Sequence, residues 1–223
     1  TLFEMLERPD RVLVFTSAAF EIGGGANAPA NVVYCGPRLE DPDWTAEWTE
    51  PEGPGPLVLV SLSTTTQNQN RMIRNILEAL GRLPVRGLVT TGPSVRADDF
   101  EVPANVTLVE SAPHSLVMSR AAAVVTHAGH GTVIKSLASG VPLLCMPVGR
   151  DQPDTAARVV ASGAGLRLRP GAGPRAISSS LSRILSEASF REAAGRMAAA
   201  IAADRERDRA VEEIESMTTG REA

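Results

Sequence analysis

The segment Thr126-His127-Ala128-Gly129-His130-Gly131-Thr132 combines residue types suited to an anionic ligand. Glycines let a ligand approach the main chain, and the first turn of a helix offers unpaired N–H groups and a partial positive charge. The imidazoles of His127 and His130 and the Thr132 hydroxyl add hydrogen-bond donors. The segment therefore predicts a diphosphate site, although a tight turn in which Gly129 and Gly131 only satisfy the backbone would leave the same pattern.

The flanking residues predict a strand before this segment and a helix after it. Residues 122–126 form a short apolar run that becomes β-branched, as in a buried parallel strand. Residues 132–139 have helical spacing of apolar side chains, and Gly140 and Pro142 supply a stop. We therefore expect the glycines to lie in a strand-to-helix turn.

Strand-like and helix-like runs alternate along the chain, which predicts an α/β fold with a Rossmann-like doubly wound parallel sheet. The predicted strands are residues 57–62, 86–90, 106–109, 122–126, 143–146 and 165–168. In the common order 3-2-1-4-5-6, the first and fourth of these are neighbours. The loop with Ser63 and Thr64 and the glycine-rich turn would then flank one crevice.

The first 56 residues do not fit this sheet. Residues 12–15 and 32–34 predict two short strands, and residues 41–56 are rich in proline, glycine and acid, as in a linker. The Asp41-Pro42-Asp43 triplet resembles the DxD metal motif of some sugar transferases. A proline-rich linker away from the strand ends is a poor place to organise a metal, so we expect no metal site.

Composition narrows the function class. A net charge of −4 without a clustered basic face gives no support for nucleic-acid binding, and no apolar run reaches the ~20 residues of a membrane span. Cys35 and Cys145 lack disulfide or zinc spacing, which favours a reduced, cytoplasmic protein. Arginine and alanine are abundant while Lys135 is the only lysine, which suggests a GC-rich bacterial genome.

Ordered motifs across this region resemble the donor-binding signature of GT-B glycosyltransferases. The motifs are His127 to Thr132, Gly140-Val141-Pro142, Pro147, Asp151-Gln152, Ala156 and Gly163-Ala164-Gly165, with Asn105-Val106 and Pro113 ahead of them. More narrowly, they resemble family 1, the UDP-glucuronosyl/UDP-glucosyltransferase type, including bacterial macrolide and glycopeptide antibiotic enzymes. The resemblance implies the C-terminal half of a GT-B fold, with residues 1–40 a remnant of the acceptor domain, 41–56 the interdomain linker and 57–223 the donor-binding domain.

The resemblance also implies a role for individual residues. The diphosphate would be held by His127, Gly129, His130, Gly131, Thr132, Ser63 and Thr64. The base and ribose would lie beside Ser111, Ala112, His114 and Lys135. Asp151 and Gln152 would bind sugar hydroxyls, for which a carboxylate and an amide are suited. Asp151 alternatively caps the helix that follows it.

The sequence departs from the family pattern at three positions of the base and ribose site. Plant and animal members usually have Trp where Ser111 stands and Gln where His114 stands, and many members have Glu at Lys135. A lysine cannot accept a ribose proton, so ribose recognition by this residue is in question. Lys135 would instead donate to a hydroxyl or a phosphate, or it is a solvated helix residue.

The resemblance implies an inverting, metal-independent glycosyltransferase without a cofactor, using a UDP- or dTDP-sugar and a small-molecule, natural-product acceptor. The general base belongs to the acceptor domain, so no catalytic residue is expected in this chain. We expect the chain alone, whether a fragment or one piece of a split enzyme, to bind donor and be inactive. The alternatives are a nucleotide-sugar-binding subunit without activity and an isomerase like UDP-N-acetylglucosamine 2-epimerase.

Overall fold

The computed structural model describes residues 8–23, 25–41, 47–63, 69–93, 95–206 and 209–219. Its centre is a six-stranded sheet in the order β5-β4-β3-β6-β7-β8, in which every neighbouring pair is parallel. This is the predicted doubly wound order. The strands are β3 Leu57–Ser61, β4 Arg86–Thr90, β5 Val106–Val109, β6 Ala121–Thr126, β7 Leu143–Cys145 and β8 Gly165–Arg167.

Helices cover both faces of this sheet. They are α1 Asn70–Gly81, α2 His114–Met118, α3 His130–Ala138, α4 Gln152–Ala161, α5 Pro174–Ser186, α6 Ala188–Glu206 and α7 Ala210–Thr219. The central strand β3 is buried on both sides: Leu57 and Leu59 pack into one core with α3 and α6, whereas Val58 and Val60 pack into the other with α1 and α5. Side chains that alternate between two covered faces explain its continuous apolar sequence.

The helix after β6 begins two residues before the predicted start, because the Gly129 carbonyl already accepts the first helical hydrogen bond, from the Val133 N–H. Its end matches the prediction. Gly140 has a φ of +67°, the left-handed conformation that glycine adopts at helix ends. The prediction for the first helix of the domain began at Asn68, which lies outside the described residues; the described helix begins at Asn70.

The N-terminal segment forms a small unit of two strands, β1 Val12–Val14 and β2 Val32–Tyr34, which pair in parallel. The C-terminal helices hold this unit. Ser17 Oγ donates to the Asp204 carboxylate of α6 at 2.5 Å, and Arg11 pairs with the mostly buried Glu213 of α7 at 3.1 Å. The last two helices therefore pack against the unit of β1 and β2.

The linker is fastened to the domain at its far end by Glu50. This carboxylate pairs with Arg86 of β4 at 2.7 Å and with Arg120 at 2.9 Å, just before β6. Arg86 also donates to the main-chain carbonyls of Pro51 and Gly55. The last part of the linker therefore follows the amino ends of the central strands.

We expect Gly165→Ala to lower the stability of the fold. A Cβ at this position would lie 2.1 Å from the Leu143 carbonyl oxygen and 2.8 Å from Val159 Cγ1, so β8 or α4 must move. Overpacking of this kind costs ~1–3 kcal/mol, and each kcal/mol lowers Tm by roughly 2–4 °C in a chain of this size. Thermal unfolding should show a lower Tm for Gly165→Ala and not for Gly171→Ala, where a Cβ meets no atom within 4 Å.

Candidate functional site

A cavity of about 400 Å³ lies between the carboxyl ends of β3 and β6. It occupies the crevice that the strand order predicts for a ligand. Predicted site residues from three separate segments of the chain line it: Ser63, Ser111, Ala112, His114, His127, Gly129, His130, Gly131, Thr132 and Lys135. Thr64 falls outside the described residues, and Asp151 and Gln152 lie elsewhere.

The chain reverses at Ala128 to bring α3 to this cavity. Ala128 is fully buried and has a φ of +68°, a conformation that L-residues with a side chain rarely adopt. Its N–H donates to Thr126 Oγ1 at 3.2 Å, which fastens the turn to the end of β6. Strained backbone that is held in this way is typical of functional sites.

The two glycines of the turn have different structural reasons. A Cβ on Gly129 would lie 2.6 Å from His127 Nε2, so this residue must be glycine for the imidazole to lie over it. A Cβ on Gly131 would meet no atom within 4 Å, although Gly131 lines the cavity. The alternative that both glycines only satisfy the backbone therefore fails to account for Gly131, which leaves open space over the helix terminus.

The amino end of α3 carries the positive end of the helix at this open space. The N–H groups of Gly131 and Thr132 precede the first intrahelical hydrogen bond, which the Val133 N–H makes to the Gly129 carbonyl. The first turn contains no acidic residue, and no side chain caps it. These N–H groups can therefore bind an anion.

The ring of His127 lies over Gly129, next to this terminus. Burial lowers its pKa below the usual value, although the main chain of Ser61 and the charge of Asp151 act in the opposite direction. The imidazole is therefore neutral at pH 7. Its Nδ1 is buried and has no hydrogen-bond partner within the described part of the chain, which is unusual for a buried polar atom.

His130 connects the cavity to the N-terminal segment. Its Nε2 lies 3.0 Å from Thr16 Oγ1, and its ring meets the edge of Phe20 at a centroid distance of 6.2 Å. His130 also lines a second cavity of about 490 Å³, together with Asp151 and Arg158. Burial lowers the pKa of His130, and the carboxylates of Asp151 and Glu21 oppose this effect.

Asp151 and Gln152 do not share one environment. Asp151 is exposed at the amino end of α4, where its side chain makes no capping hydrogen bond, so the capping alternative is wrong for its carboxylate in this structure. Gln152 is only 2% exposed, and its Oε1 accepts from the N–H groups of Val148 and Gly149 at 2.8 and 3.0 Å. Gln152 therefore holds the loop that presents Asp151.

The loop after β3 is held by Gln69, which the sequence reasoning missed. Its Oε1 accepts from the Ser63 N–H at 3.1 Å, and its Nε2 donates to the Ser63 carbonyl at 3.2 Å. This amide pairs with both main-chain groups of a predicted site residue, as a neighbouring strand would. The polar run after Ser63 gives no signal that singles out Gln69.

His114 and Ala112 line the end of the cavity that is nearest to β4. Thr90 Oγ1 donates to the Val60 carbonyl at 3.2 Å and lies 3.3 Å from His114 Nε2, with which it shares a second hydrogen bond. Burial lowers the pKa of His114, while the charge of Asp41 raises it and that of Lys135 lowers it. His114 is thus a neutral imidazole at pH 7. Ala112 is 3% exposed and offers its main chain and an apolar surface.

Lys135 is not a solvated helix residue. Its Nζ donates to Asp41 Oδ1 at 2.6 Å and to the Glu40 carbonyl at 2.8 Å, and both charged side chains are mostly buried. Asp41, the first residue of the rejected DxD motif, therefore lines the cavity beside the only lysine; Asp43 lies outside the described residues. Sequence reasoning missed this pair because the partners are 94 residues apart.

No group of three or more His, Cys, Asp or Glu side chains is placed to hold a metal ion in the residues that the structure describes. Over the same residues, none of the helices has the length and apolar character to cross a membrane.

The chain is similar in sequence to proteins of a known family. Residues 74–217 match the family of erythromycin biosynthesis protein CIII-like C-terminal domains. The 4'-demethylrebeccamycin synthase of Lentzea aerocolonigenes is 32% identical over 201 residues, which covers 87% of this chain and 47% of that protein.

Solved structures match as well. The glycotransferase of kitacinnamycin superposes with a TM-score of 0.82 at 26% identity and covers 93% of this chain and 55% of its own. A spinosyn rhamnosyltransferase complexed with thymidine diphosphate superposes with a TM-score of 0.70 at 22% identity and covers 87% of this chain and 54% of its own. These superpositions confirm the predicted fold class, the C-terminal half of a GT-B glycosyltransferase. The chain spans about half the length of these proteins.

We expect the fold to lose stability as the pH falls below ~6.5. Burial lowers the pKa of His114, His127 and His130, so the unfolded chain, with pKa values near 6.5, binds protons that the folded chain does not. Each histidine contributes at most about 1.4 kcal/mol per pH unit, and none of this loss occurs above that pH. Urea unfolding between about pH 7.5 and 5.5 measures the slope, and His114→Gln should reduce it. A free energy of unfolding that is constant over this range would contradict the expectation.

Proposed function

Because the chain belongs to the family of erythromycin biosynthesis protein CIII-like C-terminal domains, we propose that it is the donor-binding half of a glycosyltransferase. The whole enzyme would move a sugar from a UDP- or dTDP-sugar to a hydroxyl of a small natural-product acceptor. The observation that carries this proposal is the open space over Gly131, at an uncapped helix terminus inside the cavity.

The diphosphate would bind at the amino end of α3. The N–H groups of Gly131 and Thr132 would donate to phosphate oxygens, and the Thr132 hydroxyl and His127 Nε2 would add two further donors. Ser63, on the opposite wall of the cavity, would donate its hydroxyl to the diphosphate. Thr64 lies outside the described residues, and its contact with the diphosphate stays a prediction. These donors and the positive end of the helix would stabilise the charge of the diphosphate without a metal.

The base and pentose would occupy the other end of the cavity. The main chain at Ala112 and the side chains of Ser111 and His114 line that end, and the described residues that line the cavity include no Trp, Tyr or Phe to stack on the base. The solved spinosyn rhamnosyltransferase holds thymidine diphosphate, which supports a pyrimidine nucleoside diphosphate for this chain.

The sugar would extend from the diphosphate toward His130 and Asp151. The Asp151 carboxylate is exposed, and it shares the second cavity with His130, so it can accept hydrogen bonds from sugar hydroxyls. The side-chain carbonyl oxygen of Gln152 accepts two hydrogen bonds from the loop before it, so we propose that Gln152 holds Asp151 in place. The sugar contact of Gln152 stays a prediction.

The reaction would invert the anomeric carbon without a metal or a cofactor. A general base in the acceptor domain deprotonates the acceptor hydroxyl, whose oxygen attacks C1 of the sugar while the C1–O bond to the diphosphate breaks. Negative charge then builds on the leaving diphosphate, where the α3 terminus and His127 stabilise it. Since no base of this kind was found in the sequence, we propose that this chain alone binds donor but transfers no sugar. A cytoplasmic location also stays a prediction.

Gly131→Ala should weaken nucleotide binding without destabilising the chain. The added methyl group would occupy the open space above the helix terminus, where the diphosphate is proposed to lie, and alanine is a better helix former than glycine. We expect the Kd for UDP and dTDP in isothermal titration calorimetry to rise by about tenfold or more, equivalent to ~1.4 kcal/mol, with Tm unchanged or higher.

Gly195→Ala is the matched control for this variant. Gly195 lies in α6, is exposed, and a Cβ there also meets no atom within 4 Å. Its Kd should equal that of the unmodified chain. If the two glycine variants bind both nucleotides equally well, the diphosphate does not lie at this terminus.

The two side-chain donors should each contribute to the same affinity. Thr132→Val removes a hydroxyl at nearly constant volume, and a lost hydrogen bond to a charged group costs about 1.5–3 kcal/mol, a rise in Kd of roughly 10- to 100-fold. His127→Ala should weaken binding similarly. Thr107→Val on the exposed side of β5 is the control for the hydroxyl. Unchanged affinity in both Thr132→Val and His127→Ala would rule out these phosphate contacts.

A further inference from the structure

We propose that Asp41, held in place by Lys135, is the hydrogen-bond acceptor for the pentose hydroxyls of the bound nucleotide. The proposal rests on the function proposed above and adds a residue of the linker to the donor site. The carboxylate belongs to a segment outside the sheet, and no motif of the α/β domain contains it. Its position in the cavity follows from contacts with two helices.

Two independent groups fix the orientation of the Asp41 carboxylate. Oδ1 accepts from Lys135 Nζ of α3 at 2.6 Å, and Oδ2 accepts from the main-chain N–H of Ser115 in α2 at 2.9 Å. Ser115 Oγ also donates to the Leu39 carbonyl at 3.2 Å, which holds the preceding main chain of the linker. The carboxylate is thereby positioned before a ligand arrives.

Among the residues that the structure describes, the contacts of this pair leave part of its hydrogen-bonding capacity unused. A carboxylate has about four lone-pair sites, of which these contacts use two, and an ammonium group has three protons, of which Asp41 and Glu40 take two. Burial raises the pKa of Asp41, but hydrogen bonds from Lys135 and Ser115 outweigh this and hold the pKa below its usual value. The carboxylate is therefore ionised at neutral pH and can only accept, which suits a hydroxyl donor.

The pair lies at the place along α3 where a pentose follows a diphosphate. Lys135 is four residues after Gly131, so the two lie on one face of the helix and one turn apart. A nucleoside diphosphate whose phosphates occupy the space over Gly131, and whose base lies beside Ala112, must place its pentose between them. Asp41 and Lys135 line the same cavity as both of these residues.

Because Asp41 is charged, its removal should change the affinity for different ligands in different directions. A carboxylate in the same cavity as a diphosphate repels it, so its removal should strengthen the binding of any anion that makes no hydroxyl contact. Loss of an acceptor for the pentose hydroxyls should instead weaken the binding of a nucleoside diphosphate. Inorganic pyrophosphate and UDP therefore respond to Asp41→Asn in different directions.

Calorimetric titrations of the chain and of Asp41→Asn with three ligands test this inference. The ligands are UDP, 2′,3′-dideoxyuridine diphosphate and inorganic pyrophosphate. In the unmodified chain, removal of the two hydroxyls should weaken binding by about tenfold or more. In Asp41→Asn, UDP should bind about tenfold more weakly, the dideoxy ligand should show little further loss, and pyrophosphate should bind as well as before or more tightly.

Glu50→Gln is the matched control for a loosened linker. Glu50 also anchors the linker through two ion pairs, but it lies away from the cavity lining. Its variant should bind all three ligands as the unmodified chain does. If Asp41→Asn binds poorly because its linker has moved, pyrophosphate will weaken together with UDP, and the inference is wrong.

The outcomes also separate this inference from the proposed function. If Gly131→Ala weakens UDP while hydroxyl removal has the same effect in the chain and in Asp41→Asn, the diphosphate site stands and the Asp41 assignment fails. If neither pyrophosphate nor UDP binds the unmodified chain, the proposed function itself fails. Lys135→Met is a second test, because Lys135 holds the Asp41 carboxylate in place. The difference in affinity between UDP and the dideoxy ligand should be smaller in this variant than in the unmodified chain.

Discussion

Ala128 adopts a left-handed backbone conformation while it is fully buried, and α3 begins over the cavity because the chain reverses there. The strain at this residue is held by the surrounding core and by the Thr126 hydroxyl. Every feature of the proposed anion site depends on the reversal: the direction of the N–H groups of Gly131 and Thr132, the imidazole over Gly129 and the open space over Gly131. The site is thus built into the main chain, and side chains only complete it.

The regions outside the sheet are structural parts of the site. Thr16 of the N-terminal segment contacts His130, and Asp41 of the linker contacts Lys135. These contacts give two of the cavity residues partners from parts of the chain that the sheet does not include. The cavity is therefore assembled from the α/β domain and from the residues that precede it.

The fold could be predicted from the sequence to a large extent, because its determinants are local. Short buried strands such as residues 57–61 show a continuous apolar run, and the turn after β6 is marked by glycines whose steric reason is now visible. The strand order followed from alternation and from a common topology, and the family motifs located the site. Ten predicted residues, from Ser63 to Lys135, line the cavity.

The remaining features depend on contacts between distant residues, which spacing cannot indicate. The roles of Gln69 in holding Ser63 and of Gln152 in holding its loop follow from amide geometry. The pair between Asp41 and Lys135 required a linker that folds back onto the domain. From the sequence, Lys135 in place of a family carboxylate suggested that ribose recognition was lost. In the structure, Lys135 forms an ion pair with the Asp41 carboxylate, and both residues line the cavity.

The anchoring of the linker at Asp41 and Glu50 has a consequence for evolution of the enzyme family. The chain between these two residues begins and ends at fixed points on the domain. The entropy of closing such a loop rises slowly with its length, by about 0.6 kcal/mol for each doubling. Insertions or deletions between the two anchors should therefore be tolerated among related sequences, while the cavity and the amino ends of the central strands keep their geometry.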